Sequence, residues 1–217
     1  PVDSLSSYGI AIADIDNDGD NDIVLGNTSG TNKVYLNDGL GVFTDVTATK
    51  LPSAASLGAW DVALADVDGD KDLDLMFANS SSKQQQLYIQ DSAGVFQDET
   101  AMWMPVVSWS ARRVIPVDVD GDGDIDLYYG CYQGQSNLLI NDGKGNFKDE
   151  TATRIPAAVL GTYGGVAIDV DEDGDMDIVS ANYTAPPAAQ PITLLLNNGK
   201  GVFTDGTAAR MPNVPVS

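Results

Sequence analysis

The sequence predicts an all-β fold made of four repeated, four-stranded antiparallel units, and three observations support it. An aspartate ladder occurs four times in the 217 residues. A second motif, which always ends in Phe-x-Asp-x-Thr-Ala, follows each ladder. Short apolar or alternating segments, separated by Gly, Asn and Asp, occupy the rest of each unit, as is typical of short strands joined by turns. Apolar residues make up 43% of the chain, which is enough for a core.

The ladders set the period of the repeat. They begin at residues 14, 66, 118 and 169, so the interval is 51 or 52 residues. The second motifs run over residues 37–48, 90–101, 141–152 and 197–208. A fixed period of this length indicates a repeat architecture. We therefore predict a single repeat domain over residues 1–217, with units of approximately 1–50, 51–103, 104–155 and 156–217.

Each unit contains four predicted strands. In the first unit they cover residues 9–13, 23–26, 33–36 and 42–47, and the other units match. Asn37, Asp38 and Gly39 form a hairpin signal, because these residue types tolerate the positive φ angles of tight turns. Each unit is therefore predicted to be a four-stranded antiparallel sheet.

Such small sheets have to stack on one another to bury their faces. Radial stacking of four-stranded units with this period indicates a β-propeller, in which the units are blades. One phenylalanine recurs in the fourth strand of each blade and is predicted to pack between sheets: Phe43, Phe96, Phe147 and Phe203.

The ladders are predicted to bind Ca²⁺, about one ion per repeat and four in total. Calcium takes about six to eight oxygen ligands, and alternating aspartates in a tight loop bring short carboxylates to one centre. Ladder positions one, three, five and nine are predicted to donate side chains, and position seven a backbone carbonyl. The twenty candidate residues are Asp14, Asp16, Asp18, Asp20, Asp22, Asp66, Asp68, Asp70, Asp72, Asp74, Asp118, Asp120, Asp122, Asp124, Asp126, Asp169, Asp171, Asp173, Asp175 and Asp177.

The sixth ladder position is expected to adopt a positive φ angle, which favours glycine. Gly19, Gly123 and Gly174 fit this expectation, whereas the second loop has Lys71. We predict that the second calcium site is the weakest or the most distorted of the four.

Two other interpretations of the ladders are disfavoured. An EF-hand needs a glutamate at position twelve and flanking helices, but position twelve is Leu25, Phe77, Tyr129 or Ser180. Magnesium prefers an octahedral site in which it keeps its waters. The formal net charge is −21, and four divalent cations, at two charges each, would change it to −13. Metal binding is therefore expected to be part of folding.

Both motifs resemble those of the FG-GAP and VCBS repeat families. The ladder is similar to their D-x-D-x-D-G-x-x-D calcium loop, and the second motif resembles the bacterial VCBS form in particular. The resemblance covers nearly the whole chain. It implies a secreted or cell-surface protein, extracellular or periplasmic, related in architecture to the integrin α-subunit head and serving adhesion, recognition or scaffolding. Propellers of this family usually have seven blades, so the four blades here form either a compact ring or, as we favour, an arc completed by further blades or another copy of the chain.

Residues that break the repeat are candidates for partner binding. Six residues before each ladder stand Tyr8, Trp60, Arg112 and Tyr163. Trp103, Trp109 and Arg113 lie nearby in the sequence. Aromatic rings and arginine suit contact with a glycan or a protein partner at the extracellular face. The alternative is that these rings fill the space between blades. Residues 183–191 lengthen the last unit and are a second candidate contact loop.

Composition excludes some function classes. A chain this acidic repels nucleic acid, and no segment is long and apolar enough for membrane insertion. Histidine is absent and there are three glutamates, which argues against an enzyme because the usual acid–base groups are scarce. The favoured function is a calcium-stabilised binding or scaffold module. A lectin, or a polysaccharide lyase or hydrolase, is the alternative.

Overall fold

The computed structural model describes residues 5–53, 58–157, 161–183 and 192–211. This part of the chain forms sixteen strands and four one-turn helices. In chain order they are β1 (Ser7–Ala13), β2 (Asp22–Asn27), β3 (Lys33–Asn37), β4 (Phe43–Asp45), α1 (Thr47–Lys50), β5 (Ala59–Ala65), β6 (Asp74–Asn79), β7 (Gln86–Gln90), β8 (Phe96–Asp98), α2 (Thr100–Trp103), β9 (Ser110–Val117), β10 (Asp126–Gln133), β11 (Asn137–Asn141), β12 (Phe147–Asp149), α3 (Thr151–Arg154), β13 (Thr162–Ile168), β14 (Asp177–Asn182), β15 (Ile192–Leu196), β16 (Thr204–Asp205) and α4 (Thr207–Arg210).

The strands form four sheets, and each sheet contains four consecutive strands paired with their neighbours in sequence. All pairs are antiparallel, and in the first sheet Ile23 lies opposite both Ile12 and Tyr35. Hairpin connections between consecutive strands explain this order, because antiparallel neighbours need only short turns. The predicted fold class is confirmed: four repeated four-stranded antiparallel blades.

The fourth predicted strand of each blade is longer than the observed one. Residues 42–47 were expected to be extended, whereas β4 covers Phe43–Asp45 and α1 begins at Thr47. The Thr47 backbone N–H donates to Asp45 Oδ1 (3.0 Å), and the Val34 N–H donates to the Thr47 hydroxyl (3.1 Å). The Asp-x-Thr sequence therefore ends the strand and anchors a helical turn against β3. Because every blade has the Phe-x-Asp-x-Thr-Ala motif, every blade has this turn.

Successive blades pack face to face through three apolar clusters. The first cluster joins Ile15 and Val24 of blade one to Phe77 and Phe96 of blade two, and equivalent clusters join blades two and three and blades three and four. The first strands β1, β5, β9 and β13 approach one another in chain order. At Gly9 a Cβ would lie 2.7 Å from the Asp61 Cα, so the approach of β1 to β5 requires glycine. This packing is that of a β-propeller.

The recurring phenylalanine is buried in three blades and exposed in the first. Phe96, Phe147 and Phe203 are 1%, 7% and 3% exposed, as predicted for rings between sheets. The prediction was wrong for Phe43, which is 41% exposed. The rings of blades two, three and four pack against the blade before them, whereas no apolar cluster of the described residues includes Phe43, which fits a propeller arc.

Candidate metal centre and surface cluster

Each aspartate ladder forms the turn between the first and second strands of its blade. Ladder position six has a positive φ angle in all four loops: 97° at Gly19, 80° at Lys71, 95° at Gly123 and 97° at Gly174. The backbone of the second loop is therefore kept despite its lysine. Lys71 is in a conformation that side chains disfavour, so the second loop is strained at position six, where the other three loops have glycine. At position four the first and fourth loops have non-glycine residues with positive φ angles, Asn17 (59°) and Glu172 (62°).

Three carboxylates gather at each loop, with one oxygen from each within 4.8 Å of the others. Three loops use ladder positions one, three and five, and the fourth uses positions one, three and nine. The four triads are Asp14, Asp16 and Asp18; Asp66, Asp68 and Asp70; Asp118, Asp120 and Asp122; and Asp169, Asp171 and Asp177. Three negative charges this close repel one another unless a proton or a cation intervenes.

The first carboxylate of each loop holds the loop closed. The Asp118 carboxylate accepts hydrogen bonds from the N–H groups of Gly121 (2.8 Å) and Gly123 (3.0 Å). Asp14 does the same for Asp18 (3.0 Å) and Gly19 (2.9 Å). The loop backbone therefore folds around the first carboxylate and sets the spacing of the triad.

The ninth carboxylate is buried and ties the loop to the third strand. The two Asp126 oxygens accept from the N–H groups of Val119 (3.1 Å) and Asn141 (2.8 Å). Asp22, Asp74 and Asp177 make the equivalent pairs of bonds. Burial raises the pKa of Asp74 and of Asp126 to about 7. The sequence predicts position nine as a metal ligand and gives no sign of these two hydrogen bonds to the backbone.

The seventh side chain lies outside the triads. Asp20, Asp124 and Asp175 pack so closely against the glycine of the following turn that a Cβ there would collide with them. In the second loop the Asp72 carboxylate accepts a long hydrogen bond from Asn17 Nδ2 (3.4 Å). This arrangement leaves the backbone carbonyl as the group that position seven can offer to an ion.

Two loops contain buried oxygens with unused hydrogen-bonding capacity. Asp120 Oδ1 and Asp171 Oδ1 are buried and accept no hydrogen bond, although both belong to triads. Burial, and secondarily the carboxylate of Asp122, raises the pKa of Asp120. A buried oxygen without a partner is costly, and a hard divalent cation that prefers oxygen ligands would satisfy it. The residues present therefore fit a cation such as Ca²⁺.

Basic residues at the helix ends contact two of these carboxylates. Arg154 Nη2 lies 3.3 Å from Asp120 Oδ2, and Arg210 Nη1 lies 2.8 Å from Asp171 Oδ2. The corresponding helix in blade two ends at Trp103. The last residue of the Thr-Ala helix thus differs between blades. The sequence did not predict that its side chain contacts the aspartate at ladder position three.

A second cluster lies on the first strands and contains four of the predicted partner-binding residues. The Arg112 guanidinium carbon lies 3.8 Å from the ring centroid of Trp60 and 4.1 Å from that of Tyr163. Tyr8 and Trp60 have centroids 4.2 Å apart. Tyr132, at 4.0 Å from Arg112, completes the contacts around the guanidinium and was not predicted. We call the set Tyr8, Trp60, Arg112, Tyr132, Tyr163 and Tyr183 the aromatic–arginine cluster.

A β-bulge at the same position of the first strand places one of these side chains in every blade. The strand register shifts at Tyr8, Trp60, Arg112 and Tyr163, each of which is the extra residue of a β-bulge. A bulge leaves one residue unpaired and redirects its side chain. Four equivalent bulges thus direct one residue per blade towards a common surface.

Three predicted partner-binding residues do not join the contacts around Arg112. Trp103 and Trp109 pack against the core between blades two and three. Arg113 is adjacent in sequence, but its Nη1 lies 3.2 Å from Asp61 Oδ2. Arg112 itself has no carboxylate partner among the residues that the structure describes.

The fold and the loops together define a β-propeller arc with a candidate divalent-cation site in each blade. The chain belongs to the FG-GAP-like repeat family, which matches residues 14–77, 68–129 and 118–180. These three segments together cover more than half of the chain and contain all four ladders, the last of them within 118–180.

Among individual proteins, the chain is similar to cartilage acidic protein 1. It is 28% identical to the Mus musculus protein over 202 residues, which is 88% of this chain and 30% of that protein. It is 26% identical to the Xenopus tropicalis protein over 197 residues, which is 86% of this chain and 30% of that protein. The chain therefore spans less than a third of the length of these relatives.

A solved structure of similar shape is that of the V. cholerae biofilm matrix protein Bap1. The TM-score is 0.46 at 15% identity, over 92% of this chain and 30% of that one.

None of the helices in the described ranges is long and apolar enough to cross a membrane.

Proposed function

We propose that this protein is a calcium-stabilised extracellular module for adhesion, recognition or scaffolding, with one Ca²⁺ in each blade. The observation that carries the proposal is the fourfold carboxylate triad, with buried and unpartnered oxygens at Asp120 and Asp171. Calcium matches these sites because it accepts six to eight oxygens in flexible geometry. The membership in the FG-GAP-like repeat family supports the same ion.

The calcium proposal is tested by titration of metal-free protein with Ca²⁺ in a calorimeter. We expect four equivalents for the unchanged chain and one fewer for Asp171→Asn, because position three loses a charged ligand. Glu172→Gln is the matched control, since Glu172 is exposed and lies in the same loop outside the triad. Equal calcium stoichiometry in the two variants would contradict the assignment of the fourth site.

We further propose that the aromatic–arginine cluster is the recognition surface and that its partner is a glycan or a protein outside the cell. Tyr8, Tyr163 and Tyr183 are 59%, 43% and 59% exposed, so their rings are accessible. Cation–π contacts with three rings, worth about 0.5–2 kcal/mol each, hold the Arg112 guanidinium in one position. A preorganised cation beside exposed rings suits stacking on sugars. Nucleic acid and membrane insertion are not part of the proposal.

A glycan array tests the lectin form of this proposal. We expect binding that Arg112→Lys and Tyr8→Ala both weaken, because the planar guanidinium and the exposed ring are lost. Met102→Ala is the control, as Met102 is 76% exposed and lies outside the cluster. The proposal is of binding without turnover, so release of product from any polysaccharide would instead support the carbohydrate-active enzyme.

A further inference from the structure

Neighbouring blades meet at a contact that we call a joint. Each end of the arc exposes one half of such a contact. Within the first joint, Phe96 of the later blade and Ile15 in the metal loop of the earlier blade are 1% and 2% exposed. The residues at the same positions at the ends of the arc are Phe43 and Val170. They are 41% and 39% exposed.

A hydrogen bond also crosses each joint, and blade one has the unused donor position. An amide at the end of the third strand donates to a backbone carbonyl in the metal loop of the preceding blade. The three bonds are Gln90 Nε2 to Ile15 O (3.0 Å), Asn141 Nδ2 to Val67 O (2.7 Å) and Asn197 Nδ2 to Val119 O (2.7 Å). Asn37 holds this position in blade one, and among the described residues its Nδ2 donates only within its own blade, to Asn21 O (3.2 Å).

The first strands of the outer blades complete these exposed surfaces. Ile10 and Ile12 on β1 are 57% and 60% exposed, and Val166 and Ile168 on β13 are 52% and 47% exposed. Inside the arc, the counterpart of Ile10 in blade two is Val62, which is 3% exposed, and those of Val166 and Ile168 in blade three are Ile115 and Val117, which are 6% and 7% exposed. We call Ile10, Ile12, Asn37 and Phe43 the leading face, and Val166, Ile168 and Val170 the trailing face.

We propose that a second copy of this chain docks head to tail, with the leading face of one copy on the trailing face of the other. The interface would continue a joint that the molecule already forms three times, with the same apolar residues and the same amide-to-carbonyl hydrogen bond. Contiguous exposed apolar surface on a globular protein marks such interaction sites. The contact is heterologous, because the two faces differ. A closed dimer and an open, linear oligomer would both contain it.

Sedimentation of the purified chain in calcium measures the association. We expect the mean mass to rise with protein concentration for the unchanged chain, and Phe43→Glu and Val166→Glu to stay monomeric because each places a charge in one half of the joint. Val106→Glu is the matched control, since Val106 is 96% exposed and lies between α2 and β9. An unchanged chain that is monomeric at every concentration overturns the proposal.

Mixing the two variants tests the head-to-tail geometry. Phe43→Glu keeps an intact trailing face and Val166→Glu keeps an intact leading face. The mixture should therefore form heterodimers with a single joint, although neither variant associates alone. Self-association of Phe43→Glu at the level of the unchanged chain, or failure of the mixture to associate, would overturn the heterologous joint.

Discussion

Lys71 shows how one residue departs from a repeat without changing its backbone. Its φ angle of 80° lies close to the 95–97° of the glycines at the same ladder position. The second loop thus keeps its shape and its triad of Asp66, Asp68 and Asp70. The strain is local, and Asn17 and Glu172 have positive φ angles in the first and fourth loops. The weakness of the second calcium site stays a prediction.

Replacing Lys71 by glycine should relieve this strain. We expect Lys71→Gly to stabilise the folded protein by about 1 kcal/mol, because a side chain in the left-handed region costs about that much. Urea unfolding in calcium measures the change. Lys144→Gly removes the same charge from an exposed turn without a positive φ angle. It should bring no gain, and an equal gain in both variants would point to charge instead of strain.

The buried ninth carboxylates make stability depend on pH. Burial raises the pKa of Asp74 and of Asp126 from 3.8 to about 7 in the metal-free protein. The folded chain therefore holds protons at these two groups that the unfolded chain releases, so their contribution to metal-free stability is fully present below about pH 4 and is lost as pH rises through about 7. Calcium competes with these protons. The rise in Tm that calcium produces should be larger at about pH 8 than at about pH 5, and equal shifts would contradict this assignment.

At the scale of the element, the one-turn helices act as anchors for the third strands. The Thr100 hydroxyl accepts from the Leu87 N–H (3.0 Å) and donates to the Leu87 carbonyl (3.3 Å), and both residues are buried. The hydroxyls of Thr47, Thr151 and Thr207 accept the equivalent N–H of the third strand in the other blades. Hydrogen bonding thus explains the threonine of the Thr-Ala signature.

Removing this hydroxyl should destabilise the fold. Thr100→Val preserves the shape but leaves the buried Leu87 N–H without a partner, which costs about 1–3 kcal/mol. Thr100→Ser keeps the hydroxyl and should lose less. Chemical denaturation compares the two, and equal losses would show that the methyl group matters more than the hydrogen bond.

The sequence predicted the repeating parts of the elements and missed the parts set by single contacts. Period and alternation predicted the four sheets, because strand pairing depends on them. The helices were missed because a four-residue turn has no periodicity of its own. The bulges at Tyr8 and Arg112 were missed since one unpaired residue leaves the alternation on either side intact. The contact of Arg154 with Asp120 joins residues 34 positions apart and depends on the tertiary fold.

At the scale of the whole molecule, charge opposes folding. The formal net charge is −21, and twenty of the 32 acidic residues are the aspartates of four short loops. The apolar clusters between blades have to offset this repulsion. Bound cations would act at the places where the charge is most concentrated.

Chelation should therefore lower Tm, and added salt should restore part of the loss. Salt screens exposed charges over about 8–10 Å at physiological strength, so it relieves repulsion between loops more than within a triad. Thermal unfolding in chelator, with and without salt, and in calcium measures the three states. An unchanged Tm in chelator would refute a structural role for calcium.

The amide that crosses each joint also links the metal loops of two neighbouring blades. Asn141 of blade three binds the Val67 carbonyl, which lies between two triad residues of loop two. A loop that loses its ion and relaxes would disturb the acceptor that the next blade uses, and also the donor amide of its own blade, since Asn197 Nδ2 binds both the Val119 carbonyl and the Met176 carbonyl of loop four. Calcium depletion at one blade should therefore loosen the joints on both of its sides, and depletion at blade one or blade four, each of which has a single joint, should disturb the fewest contacts.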